Sequence, residues 1–102
     1  MNTRETYEQN KILKYLRKLE KDGYSVHCER RQAGGFSYKK GMADVWCTVH
    51  GFHIEIECKD STGELRTLQE KWRDSCIRAE MGYILARSLD DVKSVVDKLL
   101  KW

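Results

Sequence analysis

The chain has 102 residues, 40% of them hydrophobic and 34% charged, a length that suits one globular domain with a single core and excludes two. The formal net charge of +3 permits a nucleic-acid partner without requiring one. No apolar run approaches the roughly 18 residues of a membrane span, and the N-terminal sequence MNTRETYEQNK has no apolar stretch typical of a secretory signal. We therefore expect one cytoplasmic domain spanning residues 1–102.

The first predicted element is an amphipathic helix at about residues 3–22. Ile12, Leu16 and Leu19 recur at the spacing of one helical face, and Gly23 ends the pattern. Four lysines repeat at the same spacing: Lys11, Lys14, Lys18 and Lys21. They belong to a basic N-terminal part of the chain, and two interpretations are open. The lysines face the phosphates of a nucleic acid, or they form an ordinary solvated helix face.

Three strands and a loop are predicted next. Alternating apolar residues indicate a half-buried strand over residues 24–28, and the polar, glycine-bearing segment 30–41 indicates a loop. Two further alternating segments, residues 43–49 and 52–59, are separated by His50-Gly51, which predicts a tight antiparallel hairpin. No two cysteines have the spacing of a zinc site, so we expect reduced, buried thiols at Cys28, Cys47, Cys58 and Cys76.

The remainder of the chain predicts a helix, a strand and a second helix. Thr67 followed by Glu70 has the form of a capping box, and the helix that it opens runs to about Met81. A short apolar strand follows at residues 83–86, and Ser88 with Asp91 caps the last helix. The order αβββαβα predicts an α/β domain with a mixed sheet flanked by helices.

Acidic side chains converge on one face of the predicted hairpin. Period two places Glu55, Glu57 and Lys59 on the face opposite the apolar residues of their strand, and Asp44 on the same face of the partner strand. We expect Asp44 to meet Glu57. Two such carboxylates repel each other unless a cation lies between them, and Mg²⁺ or Mn²⁺ is the cation that hard oxygen donors prefer. With a lysine beside it, this set suits hydrolysis of phosphodiesters.

Several short motifs occur in a specific order, although Glu-x-Lys alone is common. They are Glu5 with Gln9 on the first helix, Tyr15-Leu16, Lys40-Gly-Met-Ala-Asp44, Glu57-Cys-Lys59, Gly63-Glu-Leu-Arg-Thr-Leu-Gln69 and Ala86-Arg-Ser88. This order resembles the PD-(D/E)xK nucleases and, more narrowly, a stand-alone VRR-Nuc domain, over nearly the whole chain. The resemblance implies a restriction-endonuclease-like core and a Mg²⁺-dependent deoxyribonuclease that accepts Mn²⁺ as a substitute.

The resemblance also implies roles for individual residues. The metal ligands would be Glu5, Asp44, Glu57 and the main-chain carbonyl of Cys58. The catalytic set would be Asp44, Glu57, Lys59 and Gln69, with Gln69 orienting Lys59 or the substrate. Glu8 is an alternative to Glu5, and a third interpretation is that both only favour the N-terminus of the helix through its dipole. Ala43 and Arg66 depart from the family pattern, which affects loop detail and not the metal ligands.

Basic residues flank the segment Gly34–Tyr38 and are candidates for gripping DNA phosphates. They are Arg30, Arg31, Lys39 and Lys40. The alternative is a loop without function. We expect Trp46 and Trp72 to lie in the core, and the spacing of the three histidines indicates no cluster.

These observations predict a metal-dependent, structure-specific DNA endonuclease. Compact family members resemble junction resolvases, so we expect a homodimer that cuts four-way (Holliday) junctions, and so short a nuclease suits a bacteriophage or another mobile element. Two alternatives stay open. The chain is a DNA-binding module that does not cut, or it is the nuclease subunit of a larger restriction or repair assembly.

Overall fold

A computed structural model describes residues 3–31 and 39–102, which form three helices and one four-stranded sheet. In chain order these are α1 (Thr3–Lys21), β1 (Val26–Arg30), β2 (Val45–Val49), β3 (Phe52–Cys58), α2 (Thr67–Arg78), β4 (Gly82–Ala86) and α3 (Leu89–Leu100). This confirms the predicted α/β class and the order αβββαβα. Most of the predicted loop, including Gly34–Tyr38, lies outside the described residues.

The sheet has the order β1-β2-β3-β4, in which β4 is parallel to β3 and the other neighbours are antiparallel. Between β2 and β3, His50 and Gly51 have φ angles of 52° and 78°. Two successive residues with positive φ are typical of the type I′ turn, whose twist matches that of the flanking strands. The predicted hairpin is therefore confirmed, and its two-residue turn sets the register that pairs Val45 with Ile56.

One face of the sheet carries the hydrophobic core, beneath α1 and α3. Ile12 and Leu16 of α1 and Val92 and Val96 of α3 are fully buried against the apolar residues of the strands. Full burial of each such side chain contributes about 1.5–3 kcal/mol to stability. All four cysteines are free and buried, as predicted: Cys28, Cys47, Cys58 and Cys76. The opposite face, which we call the outer face, carries α2 near β4 and the polar residues of the strands.

The ends of α2 differ from the prediction. The N-cap residue is Arg66, whose N–H donates to Oε1 of Gln69 at 2.9 Å, so Gln69 and not Glu70 closes the start of the helix. Gln serves the third helical position as well as Glu, but Arg66 is not a Ser or Thr, so the capping-box pattern did not indicate this register. The helix stops at Arg78 because Glu80 has a φ of 60° and the N–H of Met81 donates to the carbonyl of Cys76.

The other boundary corrections are small. The first strand begins at Val26, two residues later than predicted, because Tyr24 lies in the turn after α1 and donates its N–H to Leu19. Ser88 caps α3 as predicted, and its N–H donates to Oδ2 of Asp91 at 3.3 Å. No helix in the two described ranges combines the length and the apolar character needed to cross a bilayer.

Gly41 fixes the approach of the chain to β2. It has a φ of 97°, and a Cβ atom built there would lie 2.7 Å from the main-chain oxygen of Leu68 in α2. Only glycine fits this close contact between the loop and the helix without strain. The contact holds the segment immediately before Asp44.

Replacing Gly41 with Ala is expected to lower the free energy of unfolding by about 2–4 kcal/mol, because it adds overpacking to left-handed backbone strain. Gly51→Ala is the matched control, since Gly51 also has positive φ but an added Cβ meets nothing within 4 Å. Its cost should be about 1–2 kcal/mol, from backbone strain alone. Urea denaturation of both variants measures the difference. If the two variants lose the same free energy of unfolding, the contact with Leu68 does not contribute to stability.

Candidate active site

Asp44 and Glu57 lie side by side on the outer face, where β2 begins and β3 ends. Oε2 of Glu57 accepts a hydrogen bond from the N–H of Asp44 at 3.3 Å. Oδ2 of Asp44 accepts from the N–H of Cys58 at 3.1 Å. Each carboxylate is thus held by the main chain of the other strand, and the expected meeting of Asp44 with Glu57 is confirmed.

The electrostatic state of Glu57 reflects its surroundings. Burial of its side chain, together with the charge of Asp44 and a hydrogen bond with it, raises the pKa of the Glu57 carboxyl from 4.5 to about 8. The positive charge of Lys59 acts in the opposite direction, so this ammonium lies close enough to favour the ionised form. The positive charge of the described protein groups is therefore not enough to compensate the two negative charges of Asp44 and Glu57.

The raised pKa predicts how the stability of the metal-free protein depends on pH. A carboxyl whose pKa is higher in the folded than in the unfolded state binds its proton more tightly when folded. Its contribution is complete below about pH 4.5 and is lost as the pH rises to about 8. We expect the free energy of unfolding in EDTA to fall by a few kcal/mol over this range, at about 1.4 kcal/mol per pKa unit.

Thermal unfolding followed by circular dichroism at several pH values measures this effect. Glu57→Gln is the control, because its amide oxygen still accepts the N–H of Asp44 but does not titrate. Its melting temperature should change less over the same pH range. Parallel curves for the two proteins would show that Glu57 has an ordinary pKa.

The main-chain carbonyl of Cys58 faces the same side of β3 as Asp44. The N–H of Cys58 donates to Asp44, whereas the N–H of Lys59 donates to Ala86 of β4 on the opposite side, at 3.0 Å. In an extended strand, the N–H and C=O of one residue point to the same side. Two carboxylates and one carbonyl oxygen therefore border one space.

Glu5 and Glu8 of α1 lie towards this end of β3. Burial is the main cause that raises the pKa of the Cys58 thiol, and the charges of four carboxylates add to it. In order of effect they are Asp44, Glu57, Glu5 and Glu8. Glu8 pairs with Arg4 and Lys11 at 3.6 Å each, yet its buried Oε2 has no hydrogen bond within the described part of the chain.

The atoms available as ligands near the end of β3 determine which metal ion this site suits. Within residues 3–31 and 39–102, no three side chains of His, Cys, Asp or Glu are grouped closely enough to hold one ion. Asp44, Glu57 and the Cys58 carbonyl supply three oxygen donors, however, and Mg²⁺ commonly binds one or two carboxylates and keeps several waters. The residues present fit Mg²⁺ or Mn²⁺. A ligand from Glu5 or Glu8 stays a prediction.

Gln69 lies in the first turn of α2, where its side chain caps the helix. Its Oε1 accepts the N–H of Arg66 at the start of α2, so this oxygen stabilises the helix terminus. The physical reason is that Gln69 occupies the third helical position, from which its side chain reaches back to the N-cap. That Gln69 orients Lys59 or the substrate stays a prediction.

Arg31, one of the predicted DNA-binding residues, forms an ion pair with a buried carboxylate. Its guanidinium forms a two-point ion pair with Glu55, including Nη2 to Oε2 at 2.9 Å, and Nη1 also donates to the carbonyl of Ala43 at 3.0 Å. The side chain of Arg31 is 17% exposed and that of Glu55 is 1% exposed. A buried carboxylate requires a partner, and Arg31 supplies it. Contact between Arg31 and DNA stays a prediction.

Glu55 is the centre of a polar cluster that the sequence did not reveal. Burial alone would raise the pKa of Glu55, but hydrogen bonds from Arg31 and His53 outweigh burial and lower it. Trp72 Nε1 donates to Oε1 of Glu55 at 3.0 Å, which links α2 to the sheet. The one available signal was an acidic residue between Ile54 and Ile56, in the middle of an otherwise buried strand.

Trp46 and Trp72 lie on the outer face and not in the core. Both are only partly buried. The ring of Trp46 stacks on His53 with 5.3 Å between ring centroids, and His27 is tilted against it at 5.7 Å. Period two explains this, because Trp46 alternates with the buried Val45 and Cys47. The two histidines, to which the sequence assigned no role, line this aromatic row.

Arg30, Lys39 and Lys40 are exposed, as a DNA-binding role requires, while Gly34–Tyr38 between them lies outside the described residues. The geometry thus brings together Asp44, Glu57, Lys59 and the Cys58 carbonyl. No model of a known protein family and no curated protein matches this chain.

Proposed function

We propose that the chain is a metal-dependent deoxyribonuclease of the VRR-Nuc type that hydrolyses phosphodiester bonds. The observation that carries the proposal is the pair of juxtaposed carboxylates, Asp44 and Glu57, on the outer face, with the charge of Lys59, directly after β3, acting on Glu57. Support comes also from the αβββαβα order with its mixed sheet, which is the arrangement that the family resemblance implies.

Each residue of the site has a defined task in this proposal. Asp44, Glu57 and the carbonyl of Cys58 would hold Mg²⁺ or Mn²⁺, with Glu5 or Glu8 as a further ligand from α1. The chemistry that such an ion would supply when bound is a lower pKa for a water and neutralisation of charge on the phosphate. Lys59 contributes a positive charge and N–H donors to the same phosphate, which stabilises the transition state. The hydrogen bonds of Asp44 and Glu57 to the main chain keep both carboxylates oriented before substrate binds.

The finer proposal concerns the substrate and the assembly. We propose a homodimer that cuts four-way DNA junctions, because one domain of this size offers little surface for branched DNA. A two-fold dimer presents two sites to a two-fold substrate. Sedimentation of the isolated chain tests the dimer. A monomer in solution would favour the alternative of a nuclease subunit that acts within a larger restriction or repair assembly.

Cleavage of a panel of labelled DNAs tests the activity. Linear single-stranded, linear duplex, flapped and four-way junction DNA are incubated with the protein and Mg²⁺, Mn²⁺ or EDTA. We expect cleavage with either metal, fastest on the junction, and none in EDTA. If all four DNAs remain uncut with both metals while the protein still binds them, the chain is the non-cleaving DNA-binding module, and the enzymatic proposal is wrong.

A further inference from the structure

A groove of about 890 Å³ runs between α1 and the outer edge of β1, and we call it the α1–β1 groove. Its cationic side chains are Lys14, Arg17, Lys18 and Lys21 of α1 and Arg30 of β1. It lies apart from Asp44 and Glu57, neither of which lines it. The lysine repeat noted in the sequence therefore does not form an isolated helix face, because the fold places Arg30 opposite it.

The groove is strongly positive for a chain of low net charge. Five cations and two carboxylates line it, so its net charge is +3, which equals that of the whole chain. The charges of all other residues therefore sum to zero. Asp22 is paired with Lys18 at 2.9 Å, and Glu29 contacts His27 at 3.2 Å. By contrast, Lys14, Lys21 and Arg30 form no salt bridge with any residue that the structure describes.

The cations form a row and not a point cluster. Lys14, Lys18 and Lys21 follow one another at about one helical turn, so that they extend over about 10 Å along α1. No described strand pairs with the facing edge of β1, and this edge leaves the groove open along its length. A row of cations in an open groove matches a polymer with regularly spaced anionic groups better than one small anion.

Arg30 connects the groove to the segment that holds Asp44. Arg30 precedes Arg31, whose main-chain N–H donates to the carbonyl of Asp44 at 2.8 Å. We propose that the α1–β1 groove binds the sugar–phosphate backbone of DNA whose neighbouring segment lies at Asp44 and Glu57. The identity of the polymer rests on the proposed function, whereas the anion-binding surface rests on the charges and shape of the groove.

The test compares two double variants that remove the same charge. Lys14→Ala/Lys21→Ala alters the groove, and Lys98→Ala/Lys101→Ala removes two exposed lysines at the end of the chain. Fluorescence anisotropy with a labelled duplex of about 30 base pairs in EDTA measures binding without cleavage, from roughly 50 to 400 mM salt. The groove variant should bind about tenfold more weakly near 100 mM salt, and its plot of log K against log salt should be shallower by about two.

The outcomes separate this inference from the nuclease. If the groove variant binds DNA with the same affinity and the same salt slope as the control variant, the inference that the groove binds DNA is wrong. This holds even if the protein cuts DNA. If the protein binds DNA through the groove but never cuts it, the groove inference is supported and the proposed nuclease activity is wrong. Poly-glutamate and vesicles containing phosphatidylserine are parallel probes, and groove-dependent binding to either of them without binding to DNA would also overturn the inference. Circular dichroism confirms that both variants are folded.

Discussion

Asp44→Asn is expected to abolish metal-dependent DNA cleavage, with a fall in rate of at least about 10³-fold. The substitution removes one of the two negative charges that attract the cation. It retains an oxygen that can accept the N–H of Cys58, so the contact that positions the start of β2 survives. The variant should therefore stay folded, and single-turnover cleavage of the preferred DNA with Mg²⁺ measures the loss.

Asp74→Asn is the matched control for this change. Asp74 lies on α2, its side chain is 55% exposed, and its partner is the neighbouring Arg73. The control should cut DNA at the rate of the unmodified protein. Binding of DNA in EDTA should be unchanged or stronger in Asp44→Asn, because a negative charge near the phosphate has been removed. If Asp44→Asn cuts DNA at the rate of the unmodified protein, Asp44 does not take part in the proposed reaction.

Arg31→Met is expected to lower the free energy of unfolding by about 3–5 kcal/mol, because it leaves the carboxylate of Glu55 buried without its ion-pair partner. For a domain of this length, such a loss corresponds to a fall in melting temperature of more than about 10 °C. The loss should be greatest at neutral pH. Hydrogen bonding lowers the pKa of Glu55, so the stability that it confers is present above the ordinary carboxyl pKa and is lost as the pH falls.

Two further variants separate a structural role of Arg31 from DNA binding. Arg30→Met changes the adjacent, exposed arginine and should alter the free energy of unfolding by less than about 0.5 kcal/mol. Arg31→Met/Glu55→Gln removes both charges and keeps an oxygen for Trp72, so it should recover much of the lost stability. An Arg31→Met protein with normal stability and weakened DNA binding would instead support the prediction that Arg31 contacts phosphates.

The Arg31–Glu55 ion pair and the site share one structural element. Nη1 of Arg31 also donates to the carbonyl of Ala43, the residue before Asp44. Together with Gly41 against α2, this contact fixes the segment that leads into β2 from two sides. A change at Arg31 is therefore expected to affect cleavage through the position of Asp44, and the double variant with Glu55 shows how much of that effect is stability.

Local signals in the sequence were sufficient for the elements and for the carboxylate pair. The turn His50-Gly51 has two residues, and a two-residue turn allows one register between its strands. Once that register is known, period two alone places Asp44 opposite Glu57 on the outer face. The element order follows from the same short-range periodicities, which is why the predicted fold class agrees with the structure.

The sequence by itself thus determined the order of helices and strands, the hairpin register and the meeting of Asp44 with Glu57, since each depends on residues within a turn or a neighbouring strand. Only the tertiary structure decided the partners of Glu55 and the α1–β1 groove. Arg31 and Glu55 are 24 residues apart, and Arg30 reaches the lysines of α1 only when β1 packs against that helix. Such contacts depend on how separate elements pack, and no periodicity within one element encodes them.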